Sequence, residues 1–474
     1  MTQDALALVW HRRDLRLHDN PALWMAARNY ARVLAVFTID PDILARSDTA
    51  PCRVTFMLES LAELQESYAK LGGRLILRQG QPVSVLRDVV QESSAAAVFW
   101  NADVEPYAVA RDSSVHAALA ADGIATRSCQ DVLLHDPADI TTQAGKPYSV
   151  FTPFWRNWSR HTKPSPYPVP DRLQAPDLDS LPLPTLSDLG MICEQELPMA
   201  GEAVALDLLD TFCSSGAVFD YDDNRNFPAL PGTSGLSPHL RWGTLGTRQT
   251  WQATIDAEPE VRSDEAEAGL RTWRQELCWR EFYKHVLMHW PELETQEYRQ
   301  LFRTFQWDND TDHFEAWCRG ETGYPIVDAA MRQLNQTGWM HNRCRMIVAS
   351  FLTKDLLIDW RWGEQYFMQK LVDGDLSANN GGWQWSASVG IDPKPLRIFN
   401  PSTQAKRYDP EGEYIRRYVP ELAGLDLPQL LDANRLLDSQ RRNCGYPLKL
   451  VEHSVQQREF KARYNVSKAS LTRT

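Results

Sequence analysis

Long hydrophobic runs, a secretion signal and paired cysteines are all missing from this 474-residue sequence. No stretch approaches the roughly twenty uninterrupted apolar residues that a membrane-spanning helix needs. The first ten residues, MTQDALALVW, lack both the basic segment and the cleavage site of a signal peptide. The eight cysteines are scattered without a CxxC pair, which is typical of reduced thiols in a cytosol. We therefore expect a cytoplasmic protein without a membrane partner.

Metal-binding and phosphate-binding motifs are absent as well. No Cys/His cluster has zinc spacing, and no GxGxxG or GxxxxGK[ST] follows an apolar run. Asp373, Asp375 and Ser377 fit the start of a calcium loop, but Ala378 and Gln384 stand where that loop needs glycine and a bidentate acid. We expect no metal site.

The sequence also lacks an excess of positive charge, because acidic residues outnumber basic ones and the net charge is −12. A nucleic-acid partner would therefore need a local basic patch. Tryptophan, in contrast, is abundant: 17 are present. Most of them lie at or after Trp242, so the C-terminal half carries a feature that the N-terminal half lacks.

The order of apolar runs predicts an α/β domain followed by a helical one. Runs at 5–10, 33–39, 74–78 and 95–101 have the pattern of buried strands, and helical patterns separate them, clearest at 53–73. This alternation predicts a doubly wound parallel sheet covered on both faces. Eight prolines between 164 and 198 indicate an extended connector. Helical periodicity dominates from about residue 200. We predict an α/β domain over 1–134, a connector over 135–200 and an all-α domain over 201–474.

Several segments combine residue types that suit a ligand site. Glu276, Trp279, Arg280 and Tyr283 share one helical face, as an ion pair beside a half-buried indole would also do. The segment 338–352 places Trp339, Asn342, Arg343 and Met346 along one stripe. Basic residues at 343–345 and 397–407 could contact phosphates, or could be scattered surface charge. The loop GTSGLS (232–237) offers hydroxyls and amide N–H groups to phosphate oxygens.

The segment DGDLSANNGGWQWS (373–386) sets carboxylates and amides beside Trp383 and Trp385. One interpretation is a turn between helices with two core tryptophans. The other is a polar clamp on a planar, redox-active ligand, with the indoles as stacking surfaces or electron carriers.

Taken together, these segments resemble the DNA photolyase/cryptochrome family along nearly the whole chain. The resemblance is closest to class I cyclobutane pyrimidine dimer photolyases of the deazaflavin antenna type. The stretches that carry it are WHRRDLRLHDNPAL near the start, YDDNRNFPALPGTSGLSP (221–238), WRQELCWREFY (273–283), TGYPIVDAAMRQLNQTGWMHNRCRM (322–346), DGDLSANNGGWQWSAS (373–388) and RIFNPSTQ (397–404).

The resemblance implies FAD, reduced and anionic in its active form, as the cofactor. It implies that Arg345 lies beside the flavin ring and that Asn379 faces its edge. The other implied FAD-binding residues are Tyr221, Thr233, Ser234, Gly235, Leu236, Ser237, Trp273, Asp373, Gly374 and Asp375. An electron-transfer chain is implied through Trp383, Trp360 and Trp307.

The implied activity is that of a deoxyribodipyrimidine photo-lyase: light-driven repair, in which reduced FAD donates one electron to a cyclobutane pyrimidine dimer in duplex or single-stranded DNA and splits it. The implied lesion pocket is Glu276, Trp279, Asn342, Met346 and Trp385, with Glu276 stabilising the dimer after electron transfer. The other DNA-binding residues that we predict are Arg225, Arg280, Tyr283, Arg343, Arg397, Gln404 and Lys406. We expect a monomer without an obligate protein partner, associated with the nucleoid during repair.

Three rival activities remain. A (6-4) photolyase uses histidines in its lesion pocket, where this chain has Asn342 and Met346. A cryptochrome photoreceptor commonly replaces the residue at Asn379 and carries a long C-terminal extension. A flavin oxidoreductase that works in the dark would need a nicotinamide fingerprint, and none is present.

The segment WNADVEPYAVARD (100–112) resembles the branch of the family whose antenna chromophore is 8-hydroxy-5-deazaflavin (8-HDF), more than the methenyltetrahydrofolate branch. The implied antenna ligands are Arg53, Asp103, Glu105, Arg111 and Arg241. Arg241 stands where that branch has lysine, which keeps the charge but changes its geometry. The alternative is that Asp103 and Glu105 cap the helix that follows them.

Overall fold

The computed structural model describes residues 5–391 and 396–471. It divides into two compact units. The first contains the chain up to Cys193, then Pro198–Phe219 and Ser234–Pro291, and the second contains Glu194–Leu197, Asp220–Thr233 and the chain from Glu292 onward. The domain boundaries at 134 and 200 stay a prediction.

The first unit contains a five-stranded sheet. Its strands are β1 (Leu6–His11), β2 (Arg32–Ile39), β3 (Leu75–Gln79), β4 (Ala97–Asn101) and β5 (Ala125–Cys129). They lie in the order β3-β2-β1-β4-β5, and every neighbouring pair is parallel. The predicted doubly wound sheet is therefore confirmed.

Helices cover both faces of this sheet. Up to Pro291, the α-helices in chain order are α1 (Pro21–Asn29), α2 (Pro41–Leu44), α3 (Pro51–Lys70), α4 (Pro82–Ser93), α5 (Pro106–Ala121), α6 (Phe151–Trp158), α7 (Glu202–Ser214), α8 (Tyr221–Asn224), α9 (Ser237–Trp242), α10 (Thr247–Asp256) and α11 (Asp264–His289). Alternate strand residues face opposite sides: Val9 and Phe37 pack into one core, and Leu8 and Val36 into the other. Burial on both faces explains the continuous apolar runs of the strands.

The proline-rich segment over 162–200 contains neither helix nor strand. Part of it runs beside the sheet, where the N–H of Val33 donates to the carbonyl of Gln174 at 2.8 Å. Residues up to Cys193 belong to the first unit, so the role of this segment as a connector stays a prediction.

The second unit is helical. It contains α8, and from Glu292 onward its α-helices are α12 (Thr311–Arg319), α13 (Pro325–Thr337), α14 (Asn342–Lys354), α15 (Trp360–Lys370), α16 (Leu376–Ala387), α17 (Pro401–Tyr408), α18 (Glu413–Tyr418), α19 (Leu427–Leu430), α20 (Asp438–Cys444) and α21 (His453–Leu471). Its core includes three tryptophans that are almost completely buried, Trp317, Trp360 and Trp383. No helix in the described part of the chain combines the length and apolarity that crossing a bilayer requires.

Candidate functional site

The turn between α15 and α16 contains the two aspartates of the DGD segment, and they have different roles. Asp375 is the N-cap of α16, where its Oδ1 accepts from the N–H of Ala378 at 3.1 Å. Asp373 lies two residues earlier, and its Oδ2 accepts from Nη2 of Arg345 at 2.8 Å. The structure therefore joins Asp373 and Arg345, which lie 28 residues apart in the sequence, as one partly buried ion pair.

Three buried polar atoms of this turn and of α16 have no hydrogen-bond partner among the described residues. They are Oδ1 of Asp373, Oγ of Ser377 and Nε1 of Trp383. A buried polar atom without a partner costs free energy, so each such atom needs an explanation. A bound polar ligand would provide one, because the three atoms offer an anionic acceptor, a hydroxyl and an N–H donor. Gly374, between the two aspartates, is buried.

Asn379 lies one turn into α16 and is held by α15. Its Nδ2 donates to the backbone carbonyl of Glu364 at 3.1 Å and to Oε1 of the same residue at 2.9 Å. Both bonds fix the orientation of the amide. Glu364 is absent from the residues that the sequence analysis selected, because no local pattern marks it.

Helix α14 contains Asn342, Arg343, Arg345 and Met346 but begins only at Asn342. The predicted stripe that included Trp339 is therefore wrong, since Trp339 lies in the turn before the helix. His341 is the N-cap, and its Nδ1 accepts from the N–H of Arg343 at 3.2 Å. Burial, together with nearby arginines, lowers the pKa of His341 to about 4. The ring is thus neutral at pH 7 and keeps an acceptor nitrogen for the cap.

The tryptophans of the predicted electron chain lie in or against the core of the second unit. Trp383 and Trp360 are buried, and Trp307 is half-buried, with its ring centroid 4.5 Å from that of Phe305. Trp383 also contacts Phe367 and Trp317, at centroid distances of 4.9 and 6.1 Å. Sequence reasoning overlooked both of these contacts. The chain itself stays a prediction.

The loop GTSGLS (232–237) and the residues before it belong partly to the second unit and partly to the first. Tyr221, Arg225 and Thr233 belong to the second unit, where the guanidinium of Arg225 lies 5.4 Å from the ring centroid of Tyr221. Ser234 to Ser237 belong to the first unit and lead into α9. Gly235 has φ of 66°, a left-handed conformation that favours glycine. Leu236 is buried, whereas Ser237 is exposed.

Helix α11 in the first unit contains Trp273, Glu276, Trp279, Arg280 and Tyr283. Trp273 is buried, and its ring packs on that of Phe212 at 5.1 Å. Glu276 and Trp279 are half-buried. The guanidinium of Arg280 donates to the carbonyls of Val132 and Leu240 at 2.9 and 3.3 Å. Arg280 therefore anchors α11 within its own unit, in addition to any role toward DNA.

Trp279 has a close partner that the sequence analysis did not identify. The ring of Phe151 stacks on it with centroids 3.7 Å apart and planes 7° apart. The aromatic spacing of FTPFWRNW (151–158) indicates a helix with one apolar face. It does not indicate that this face packs on α11, which only the structure shows.

Intramolecular partners hold several of the predicted DNA-binding residues in the second unit. The guanidinium of Arg343 lies 4.3 Å from the ring centroid of Tyr408 and donates to Asn226. The guanidinium of Arg397 lies 4.4 Å from the ring centroid of Trp385. Lys406 forms an exposed ion pair of 2.7 Å with Asp432. Gln404, on α17 with Lys406, is half-buried.

The candidate antenna residues lie in the first unit, near the carboxyl ends of the central strands. Between β1 and β4 the strand order reverses, and ligands of doubly wound sheets bind at such a point. Arg13, just after β1, forms ion pairs with Asp103 at 3.1 Å and Glu105 at 2.7 Å. Its Nε also donates to the carbonyl of Arg241 at 3.2 Å. Arg13 thus joins three of the five predicted antenna residues, and sequence reasoning overlooked it.

The remaining two antenna candidates are cations with aromatic or backbone partners. Arg111 lies 4.9 Å from the ring centroid of Trp10 and forms an ion pair with Asp112. Arg53 is buried and donates to the carbonyl of Asp48.

Asp103 and Glu105 differ in how far they match the alternative that both cap the helix after them. Glu105 occupies the N-cap position of α5, but its side chain makes no capping bond. Asp103 does accept from the N–H groups of Val104 and Glu105, at 2.7 and 3.3 Å.

Comparisons with known proteins cover both units. Residues 7–172 match the family model for DNA photolyase, and residues 273–466 match that for the FAD binding domain of DNA photolyase. A deoxyribodipyrimidine photo-lyase of Synechococcus sp. is 50% identical over 474 residues, which cover 98% of this chain and 97% of the relative.

Two solved structures have a similar fold over nearly the whole chain. A bacterial class III photolyase from Agrobacterium tumefaciens is 39% identical, with a TM-score of 0.90 and 99% of each chain covered. A cryptochrome from Synechocystis sp. is 30% identical, with a TM-score of 0.89 and coverage of 98% of this chain and 100% of that one.

Proposed function

This chain belongs to the DNA photolyase family, and from that premise we propose that it uses light to split cyclobutane pyrimidine dimers in DNA. The observation that carries the proposal is the buried carboxylate of Asp373, which has one oxygen on Arg345 and the other without a partner among the described residues. Such a group needs a polar ligand to complete its hydrogen bonds.

FAD fits the residues around Asp373. The unpartnered Oδ1 of Asp373 would accept an N–H of the flavin, and α16 carries a buried hydroxyl at Ser377 and a buried N–H donor at Trp383 without partners among the described residues. Asn379, fixed by Glu364, would face the ring edge. The loop Thr233–Ser237 and Tyr221 would hold the phosphate-bearing part, and Trp273 would line the site from α11. When bound, reduced and excited, FAD supplies the electron that splits the dimer.

Arg345 would favour the reduced, anionic flavin. A fixed cation stabilises a nearby negative charge in a partly buried site, where screening by water is weak. The Asp373 carboxylate holds the guanidinium in one orientation, and the carbonyl of Met340 accepts from its Nε at 2.8 Å. The protein therefore sets the position of this charge before any ligand binds.

The lesion pocket that we propose uses Trp279 and Trp385 as stacking walls for an extruded dimer. Stacking on an aromatic side chain contributes about 1–3 kcal/mol per base. Extrusion costs a few kcal/mol, and less at a damaged site. Glu276 would hydrogen-bond the pyrimidine edge, and Asn342 and Met346 would complete the pocket with a neutral polar group and an apolar one.

Arginine and lysine residues would contact the DNA backbone. This group is Arg225, Arg280, Arg343, Arg397 and Lys406, with Gln404 as a neutral hydrogen-bonding neighbour. Because the chain has a net charge of −12, long-range repulsion opposes non-specific binding. We therefore expect weak binding to undamaged DNA, with specificity supplied by the pocket.

The test is repair under blue light by the purified protein with its flavin pre-reduced. The substrates are matched oligonucleotides with a cyclobutane dimer or a (6-4) product. We expect repair of the dimer alone. Asp373→Asn should lower FAD content, whereas Asp432→Asn, at the exposed pair with Lys406, should not. Repair of the (6-4) product alone would make this a (6-4) photolyase, and repair of neither would favour a cryptochrome-type photoreceptor.

We also propose an antenna chromophore of the 8-HDF type near Arg13. The charges of Asp103, Glu105 and Arg111 suit a polar chromophore with hydroxyl groups at the reversal point of the sheet. Asp103→Ala should remove the antenna absorption band after reconstitution with the deazaflavin and leave the FAD band in place. Asp122→Ala, at an exposed ion pair with Arg87 in the same unit, is the control. A band that survives Asp103→Ala would leave Asp103 with only its ion pair to Arg13 and its backbone-capping bonds.

A further inference from the structure

Helix α6 lies along α11 through a row of aromatic side chains. Phe151, Phe154 and Trp158 follow one another at i, i+3 and i+7, and so share one face of α6. The ring of Phe154 packs on Phe282 at 5.2 Å and on His285 at 4.9 Å. This row fixes the direction of α6 along α11.

A buried carboxylate anchors the far end of the row. Glu281 of α11 accepts from Nε1 of Trp158 at 2.8 Å and from the N–H of Leu134 at 2.7 Å. Only 2% of Glu281 is exposed, so both bonds lie away from water. Buried hydrogen bonds to a charged group are strong and geometrically demanding. The position of Phe151, at the first turn of α6, is therefore set by contacts elsewhere on the helix.

Phe151 meets Trp279 in an unusual geometry. The centroids are 3.7 Å apart and the planes almost parallel, at 7°. Isolated aromatic pairs prefer an offset or edge-on arrangement with more widely separated centroids. The packing of α6 on α11 therefore imposes this stack. Phe282 and Tyr283 contact Trp279 at wider angles of 80° and 32°.

We infer that Phe151 is a positioning residue for lesion recognition, which covers one face of the Trp279 indole and holds its plane for a base that stacks on the other. This inference rests on the proposed function, in which Trp279 is a wall of the lesion pocket. A ring stacked this closely leaves only the opposite face for a second planar group. An indole already fixed in that plane loses less rotational freedom when a base binds, and preorganisation of this kind raises affinity.

The inference predicts a selective loss of dimer affinity in Phe151→Leu. Phe151 also contacts Phe282, with ring centroids 5.8 Å apart. Leucine keeps apolar volume against Phe282 but removes the planar contact with Trp279. We expect the Kd for dimer-containing DNA to rise roughly two- to tenfold, with the Kd for undamaged DNA unchanged. Repair per bound dimer at saturating DNA should also be unchanged, because Phe151 would not touch the substrate. Phe151→Tyr keeps the ring and should restore dimer affinity.

Trp155→Leu is the matched control, because it removes another half-buried aromatic ring from α6, one that packs on Trp158. It should leave dimer affinity unchanged. Thermal unfolding and FAD content of each variant report on general damage to the fold. Equal loss of affinity for both DNAs in Phe151→Leu, no loss, or an effect that Trp155→Leu reproduces would each overturn the inference.

Trp279→Ala separates this inference from the proposed function. If Trp279→Ala weakens dimer binding and Phe151→Leu does not, only the positioning role is wrong. If Trp279→Ala has no effect on dimer binding, the proposed lesion wall is itself wrong, and the role of Phe151 falls with it.

Discussion

The Trp383 indole packs directly against the backbone of α15 at Gly363, which has no side chain. A Cβ atom built at this position would overlap the ring of Trp383 and approach Cδ2 of Leu352 to 2.6 Å. Gly363→Ala should therefore displace the indole. Overpacking of a buried site costs about 1–3 kcal/mol, while replacing glycine by alanine inside a helix contributes about 1 kcal/mol in the opposite sense. The net loss in free energy of unfolding should be about 0–2 kcal/mol.

A control variant separates these two opposing contributions. Gly382→Ala adds the same methyl group in α16, where no atom outside the helix lies within 4 Å of the built Cβ. It should keep the helix-propensity gain without the overlap. The difference between the two variants in urea-induced unfolding, followed by circular dichroism with FAD content measured in parallel, should then be about 1–3 kcal/mol.

The same variant tests the proposed place of Trp383 in electron supply. If the indole moves, light-driven reduction of oxidised FAD should be slower in Gly363→Ala than in the parent protein. Repair by enzyme reduced chemically beforehand should be affected less. Equal unfolding free energies for the two alanine variants, together with unchanged photoreduction, would show that Trp383 is not confined at Gly363.

Three further outcomes can be measured on the same protein. Trp307→Phe should slow photoreduction of FAD but spare repair by pre-reduced enzyme, whereas Trp362→Phe, another half-buried tryptophan against the same core, should do neither; equal effects would remove Trp307 from the chain. Burial lowers the pKa of His135 and His285 to about 4, so the unfolded state binds protons first as pH drops from about 6.5 toward 4. The free energy of unfolding from urea titrations should therefore fall by up to about 1.4 kcal/mol per pH unit for each histidine; a flat profile would contradict this. Glu281→Gln turns one of two buried acceptors into a donor that faces another donor, and should cost about 1–3 kcal/mol in unfolding free energy; an unchanged urea midpoint would contradict that.

The sheet could be predicted from the sequence where its strands are largely apolar, and not at its polar edge strand. The strands β1 to β4 are largely apolar because helices cover both sides of them. The strand β5, with the sequence ATRSC, was missed, because most of its residues are exposed and it forms the edge of the sheet. Its polarity gives no periodic signal, and only pairing with β4 defines it.

The start of helix α14 at the candidate site could not be predicted from the sequence either. The apolar pattern around 338–352 predicted a helix there, and α14 does occupy most of it. The pattern could not show that His341 caps the helix, because histidine is not among the usual N-cap residues. Trp339 was therefore placed on a helical stripe to which it does not belong.

The candidate site residues were selected by resemblance, and the partners that orient them were not. Glu364 fixes Asn379, Arg13 joins Asp103 to Glu105, and Phe151 stacks on Trp279. Two of these pairings span about 90 residues or more of sequence, and none belongs to a short motif. The residues that contact a ligand lie in short ordered segments, which can be recognised in a sequence. The residues that orient them need only place a polar group or a ring at the right point of the fold, and so lie in no such segment.

The partners of the basic residues bear on how an acidic protein could recognise DNA. Arg343 and Arg397 already lie over aromatic rings, and Lys406 already pairs with Asp432. To bind a phosphate, Lys406 must give up its ion pair with Asp432, which reduces the net free energy gained from the phosphate contact. An arginine over an aromatic ring still has N–H donors at the edge of its plane that can bind a phosphate. Arg343→Ala should therefore weaken binding to damaged and undamaged DNA alike and lower its salt dependence, while Lys406→Ala should change both much less. Measurement of Kd against salt concentration for both variants decides this, and an equal loss of slope would mean that the Asp432 pair does not compete with phosphate.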